Sequence, residues 1–140
     1  MSVQPSTRRF TTRHLASLGA LATVREEFAG WLAGLTTSEE KVEDLSVVIS
    51  ELGANAVRGT PEGREPATVA AWVEDRGDDR LLILEVANRV EELAIPDADW
   101  DLEDPLRTGG RGLLLVSAFV DDVHVEVDGD VLIIRCTKAV

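Results

Sequence analysis

Disulfides and long apolar segments are scarce or missing in this chain, and each absence excludes a class of protein. The single cysteine, Cys136, excludes an intramolecular disulfide and fits a reducing compartment. No apolar run approaches the ~20 residues that a membrane-spanning helix needs. Residues 1–10 lack the hydrophobic core of a signal peptide. We therefore expect a cytoplasmic protein.

Basic residues are also few, since 14 Lys and Arg stand against 26 Asp and Glu, giving a formal net charge of −12 at pH 7. Nonspecific nucleic-acid binding depends on basic surface that displaces counterions, so this balance argues against it. What is present is globular in character: 140 residues, 44% hydrophobic and 29% charged. We find no internal repeat, low-complexity tract or linker, and expect one domain over residues 1–140.

The hydrophobic periodicity predicts a two-layer α/β sandwich. Residues 6–12 alternate weakly and predict a first strand, and apolar residues spaced by three and four predict a helix over about 15–35. A second helix is expected to begin after Thr37, with Glu40 completing a capping box, and to end near Arg58. Further strands are predicted at 67–74, 80–88, 123–127 and 131–137, with a buried helix at 113–120. This order favours helices on one face of a mixed, mostly antiparallel sheet.

Residues 89–108 are acidic and aperiodic. A loop of about 20 residues is uncommon in a compact domain and is often a functional lid. Its seven acids favour solvated charge that keeps a loop soluble, with a docking surface for a basic partner as the alternative. Trp100 lies amid that charge, an unusual place for an exposed aromatic side chain unless it packs or binds.

Glu51 and Asn55 lie four residues apart, so they share one face of the second helix. Glu51 could deprotonate a hydroxyl or a water, and Asn55 offers a neutral oxygen to a magnesium ion that bridges phosphates. Gly53 and Ala54 lack bulk, which would let a ligand approach the helix. A solvated polar face explains the pair equally well.

A glycine-rich turn at 109–112 precedes an apolar helix and favours anion binding. Glycines let the backbone come close to a phosphate, and the helix that follows presents free amides. Arg107 and Arg111 flank the turn and Arg89 opens the lid, so three cations would offset phosphate charge. Together with Glu51 and Asn55, the turn suggests a nucleotide site.

Two motifs carry a family resemblance. The segment ELGANA at 51–56 resembles the N box, and TGGRGLLLV at 108–116 the second glycine box, of the GHKL ATPases (gyrase, Hsp90, histidine kinase, MutL). The short length and the leading segment are similar to the bacterial anti-sigma factor serine/threonine kinases. The resemblance covers about residues 6–137 and implies the Bergerat ATP-binding fold.

The resemblance also implies roles for single residues. Glu51 would be the general base and Asn55 the magnesium ligand, with ATP and Mg²⁺ as cofactors. The other binding positions would be Arg58, Asn88, Arg107, Gly109, Gly110, Arg111, Gly112 and Leu113. Of these, Gly110, Gly112 and Leu113 would lie at the phosphates, and Arg107 or Arg111 would contact the γ-phosphate.

One position departs from the family pattern. Where the family has an adenine-binding aspartate followed by x-Gly, this chain has Asn88 and no glycine after it. An amide oxygen accepts a hydrogen bond more weakly than a carboxylate, and a flipped amide would present its NH₂ instead. Adenine recognition is therefore the part of the site that this sequence puts in doubt.

The resemblance implies a kinase that phosphorylates a serine of an antagonist protein and binds a sigma factor, as a homodimer and without direct contact to nucleic acid. A non-catalytic binding module of the same fold is the first alternative, motivated by Asn88. A simple ATP hydrolase that uses Glu51 on water, and the catalytic half of a histidine kinase, are the others.

Overall fold

The computed structural model describes residues 9–35, 38–90 and 110–140. Eight elements follow one another within them: β1 (Arg9–Leu15), α1 (Leu18–Ala33), α2 (Glu39–Gly59), β2 (Ala67–Arg76), β3 (Asp79–Arg89), α3 (Gly110–Phe119), β4 (Asp122–Asp128) and β5 (Val131–Ala139). This is the predicted order of strands and helices. The predicted lid, apart from its first two residues, lies outside the described residues, and so does Trp100.

Five strands form one sheet in the order β1-β2-β3-β5-β4. Each of the four described pairings is antiparallel, so the sheet, expected to be mixed and mostly antiparallel, is antiparallel throughout its described part. Tight turns close the β2–β3 and β4–β5 hairpins, with φ of 64° at Gly77 and 63° at Gly129. Glycine adopts this left-handed conformation without the Cβ penalty that other residues meet.

One face of the sheet is buried under the helices. In β2 every second residue is buried, including Val69, Ala71 and Val73, as expected for a strand that presents one face to a core. Their partners across β3 and β5 continue the same buried layer, with Val86 opposite Val69 and Cys136 opposite Leu84. The two-layer architecture predicted from periodicity is confirmed.

Helices α1 and α2 supply the other half of the core. Their buried stripes repeat at three and four residues: Leu21, Val24, Phe28 and Leu32 in α1, and Leu45, Val48, Ile49, Leu52 and Ala56 in α2. Each fully buried large aliphatic or aromatic side chain contributes about 1.5–3 kcal/mol relative to an exposed one. These stripes therefore fix which face of α2 is left for a ligand.

The first boundaries differ from the prediction. Strand β1 runs to Leu15, which pairs with Ala67 and is buried, so Leu15 belongs to the strand and not to the first helix. Helix α1 then begins after Ser17, whose side chain accepts a hydrogen bond from the Ala20 amide at 3.1 Å. A polar cap thus sets the helix start three residues later than the apolar spacing suggested.

The start of α2 was also predicted one residue early. Ser38 is the N-cap, because its hydroxyl accepts the Lys41 amide at 3.3 Å. The residue three after Ser38 is Lys41, not an acid, so the predicted Thr37–Glu40 capping box is wrong. Glu39 and Glu40 still lie in the first turn, where they favour the positive end of the helix dipole.

Helix α3 is less buried than the sequence suggested. Val116 is fully buried, whereas Leu115 is 40% exposed, so the helix buries a stripe and not its whole surface. No helix in the described part of the chain is long and apolar enough to cross a membrane.

Candidate functional site

One face of α2 carries the candidate site. Glu51, Asn55 and Gly59 follow at intervals of four residues, so they lie above one another along the helix. At 1.5 Å per residue this row extends about 12 Å. The side chains of Glu51 and Asn55 are half-buried, along the edge of the stripe that buries Leu52. The predicted pairing of Glu51 with Asn55 therefore lies on an accessible face.

Asn55 already faces a cation. Its Oδ1 accepts a hydrogen bond from Arg58 Nη2 at 2.8 Å, within the same helical turn. The guanidinium is exposed and can rotate away. Because the amide oxygen is oriented toward positive charge and lacks a charge of its own, the donor chemistry fits a magnesium ion shared with phosphates.

The small residue Gly53 has a different role from the one predicted. A Cβ at Gly53 would lie 2.4 Å from Leu21 Cδ1 and 3.4 Å from Leu15 Cδ2. Gly53 is buried and lets α2 pack closely on α1 and β1, so it does not open the helix to a ligand. The glycine that faces the candidate site is Gly59.

Asn88 lies at the far end of the α2 row. It is the penultimate residue of β3, is 7% exposed, and lies on the helix-facing side of the sheet with Val86. A Cβ on Gly59 would lie 3.4 Å from Asn88 Nδ2, so the two residues nearly touch. The structure thus brings Asn88 to the end of the face that carries Glu51 and Asn55.

The orientation of the Asn88 amide follows from its hydrogen bond. Nδ2 donates to the Arg89 carbonyl oxygen at 3.1 Å. The atom facing a carbonyl must be the amide nitrogen, because an oxygen there could not donate. The flipped amide considered from the sequence is therefore disfavoured, and Oδ1 is the atom turned away from the Arg89 carbonyl.

Arg89 is engaged by acids of neighbouring loops. Its Nη1 donates to Asp130 Oδ1 at 2.5 Å, and Glu65 lies 4.0 Å from its Nε. Arg64 reaches the other oxygen of Asp130 at 2.8 Å. The expectation that Arg89 offsets phosphate charge at the glycine turn is therefore not what this arrangement favours, because its charge is already paired.

Asp130 is ionised under ordinary conditions. Partial desolvation acts to raise its pKa, but the hydrogen bond from Arg89 and the charges of Arg89 and Arg64 outweigh that effect. The pKa of Asp130 consequently lies below its usual 3.8. Sequence reasoning missed this cluster because its members are 66 and 41 residues apart, with no local pattern joining them.

The glycine-box residues are described in part. Gly110 begins α3, and 110–113 form its first turn, where backbone amides lack partners within the helix. Helix α3 packs against α2, which bears Glu51 and Asn55. Arg107 and Gly109, and the side chains of Arg111 and Leu113, lie outside the described residues.

Comparison with known proteins identifies the family. The model of the histidine kinase-like ATPase domain matches residues 15–137, and the chain belongs to this family. The serine-protein kinase RsbW of Bacillus licheniformis is 28% identical over 118 residues, covering 79% of this chain and 73% of that protein. The resemblance drawn from the two motifs is confirmed.

Solved structures show the same fold. The RsbU and RsbW domains of a Mycobacterium tuberculosis protein match with a TM-score of 0.68 at 19% identity, over 93% of this chain and 32% of that one. A chain of the SiaB–SiaC complex from Pseudomonas aeruginosa matches with a TM-score of 0.59 at 16% identity, over 96% of this chain and 92% of that one. At these identities the likeness concerns the fold alone.

Proposed function

We propose that the chain is an ATP-dependent protein serine kinase of the anti-sigma factor type, which phosphorylates an antagonist protein and binds a sigma factor. The observation that carries the proposal is the row Glu51, Asn55 and Gly59, which ends at Asn88. Its length of about 12 Å accommodates a nucleotide with phosphates at one end and base at the other. The similarity to RsbW, a serine-protein kinase, supports the reaction class.

In this proposal each residue of the row has one task. Asn55 would hold a magnesium ion, which neutralises charge on the phosphates. The first turn of α3 would receive phosphate oxygens on its free amides. The serine hydroxyl would give its proton to Glu51 as its oxygen bonds to the γ-phosphorus. The bond from that phosphorus to the β–γ bridging oxygen breaks, and ADP leaves.

Nucleotide titration tests binding. A fluorescent ATP analogue with Mg²⁺ should bind the wild type, and Asn55→Ala should bind it about tenfold more weakly. No binding at millimolar nucleotide would overturn the ATP-binding part of the proposal. Transfer of labelled γ-phosphate to a serine of a co-purified antagonist tests the kinase reaction, and hydrolysis without transfer would favour an ATPase.

Partners and assembly need separate measurements. A pull-down with this chain as bait, from a lysate of the source cells, should recover a sigma factor or its antagonist. Recovery of neither would contradict the regulatory role. The homodimer expected for this class should elute at twice the chain mass in size-exclusion chromatography with light scattering.

The second candidate is a non-catalytic binding module, and Asn88 favours it. An amide replaces the carboxylate that the family uses to hold adenine, so ground-state affinity is reduced. Titration of Asn88→Asp beside the wild type separates the candidates. Tighter binding in the variant indicates a weakened ATP site, whereas the absence of binding in both proteins supports the module.

A further inference from the structure

We propose that Asp130 is a positioning residue for the base end of the site: through Arg89 it fixes the amide of Asn88 and so sets the affinity for the nucleotide base. This inference rests on the proposed ATP binding. Asp130 belongs to the turn between β4 and β5, outside the N box and the second glycine box, and nothing in its local sequence points to a ligand.

Asn88 is linked to Arg89 by a hydrogen bond. The Asn88 amide has two rotational settings that differ in which atom faces the ligand, and the 3.1 Å bond from Nδ2 to the Arg89 carbonyl selects one. That bond is maintained only if the Arg89 carbonyl keeps its place. The position of the Arg89 backbone therefore decides whether Asn88 presents an acceptor or a donor.

Arg89 and the residue after it are in turn held by Asp130. The Arg89 guanidinium bonds to Asp130 Oδ1, and the next amide, Val90 N, donates to the Asp130 carbonyl at 2.8 Å. Residue 130 thus holds the end of β3 by its side chain and by its backbone. The regular pairing of β3 with β5 ends at Arg89 and Val131, so this contact extends it by one residue.

The Asp130 carboxylate also bonds to the segment that follows α2. Arg64, five residues after Gly59, bonds to Asp130 Oδ2 at 2.8 Å. One carboxylate therefore ties together the two chain segments that meet at the base end, one leaving Gly59 and the other leaving Asn88. Without its charge, Arg64 and Arg89 would be left as neighbouring like charges, which repel.

The test compares two ligands that share phosphates and differ in the base. Dissociation constants for Mg·ATP and Mg·tripolyphosphate are measured by calorimetry for the wild type, Asp130→Asn and Glu85→Gln. Glu85 is the matched control, because it also pairs with an arginine, Arg135 at 2.8 Å, but four residues before Arg89 on β3 and away from Asn88. Circular dichroism establishes that all three proteins are folded.

Asp130→Asn should weaken ATP binding about fivefold, the scale of one lost positioning contact. It should leave tripolyphosphate binding unchanged, and Glu85→Gln should leave both ligands unchanged. Arg89→Met, which removes the other side of the contact, should repeat the loss on ATP alone. Equal loss on both ligands, or no loss on ATP, overturns the inference.

A second readout separates this inference from the proposed function. The side-chain NH₂ signals of Asn88 in a ¹⁵N-correlated NMR spectrum should shift in Asp130→Asn and stay in place in Glu85→Gln. A wild type that binds neither ligand overturns the proposed function and this inference with it. A wild type that binds ATP, with the Asn88 signals unmoved by Asp130→Asn, overturns this inference alone.

Discussion

The two ends of the α2 face are built differently. At the base end Asn88 is 7% exposed and hydrogen-bonded, and the residue beside it is held by Asp130. At the phosphate end Glu51 and Asn55 are half-buried, and Asn55 bonds to an exposed arginine. In the proposed function, recognition of the base would thus fall to fixed groups, and phosphoryl transfer to side chains that can rotate into place.

The largest expected effect is at the phosphate end. Glu51→Gln keeps the size of the side chain and removes its basicity, so phosphoryl transfer should fall by about a hundredfold or more while the Kd for Mg·ATP changes little. Single-turnover transfer measured beside equilibrium titration checks both quantities. A parallel loss of affinity and rate would show that Glu51 binds the nucleotide, and would contradict its proposed role as a base only.

Asn55→Ala should weaken binding of Mg·ATP by about tenfold, which corresponds to ~1.4 kcal/mol. The reason is the lost oxygen ligand, so the difference from the wild type should disappear when Mg²⁺ is chelated. The Kd for ATP is therefore measured with and without a chelator for each protein, so that each protein serves as its own reference. A loss that persists without metal would mean that Asn55 acts on the nucleotide directly or on the fold.

A pair of glycines tests which side of α2 faces the core. Gly53→Ala should destabilise the fold by about 1 kcal/mol, because overpacking against Leu21 exceeds the ~1 kcal/mol gain in helix propensity. Gly30→Ala, an exposed helix position with nothing within 4 Å of the added Cβ, should stabilise it by about 0.5–1 kcal/mol. Urea denaturation of the two variants should give changes of opposite sign in the free energy of unfolding. Equal changes would contradict the close packing of Gly53 and indicate that it lies on the face open to a ligand.

The smallest effect is the acid titration of Asp130. Its pKa lies below 3.8 in the folded chain, so its contribution to stability is complete above 3.8 and is lost as the pH falls through the folded-state value. The stability difference between the wild type and Asp130→Asn should therefore be constant from pH 7 to pH 5 and shrink below 3.8. A carboxyl resonance of Asp130 that titrates above 3.8 would contradict the charge pairing that holds the base end.

Periodicity was sufficient to predict the elements because the core is a simple one. The stripes of α1 and α2 and the alternation in β2 each bury one face, and such patterns are local in sequence. The boundary that failed at Leu15 depends on strand pairing with Ala67, a residue distant in the chain. The boundary at Ser38 depends on which of two neighbouring hydroxyl residues caps the helix, which helical periodicity does not decide. Strand order also required the structure.

The candidate site was predictable to the same extent. Glu51 and Asn55 are local in sequence, and their shared face followed from helical geometry alone. The contribution of Gly59, the true role of Gly53 and the Asp130 cluster arise from contacts between elements. Such contacts leave no periodic trace, so composition and spacing could not have revealed them.

The buried thiol gives the fold a built-in reporter. Burial, with a smaller contribution from Asp122, raises the pKa of Cys136 to about 12, so almost no reactive thiolate exists at neutral pH. Cys136 is 1% exposed, on the core-facing side of β5 opposite Leu84. A thiol reagent can therefore label Cys136 only when the core opens and exposes the thiol. The labelling rate, with and without nucleotide, measures how often this opening occurs and needs no engineered probe.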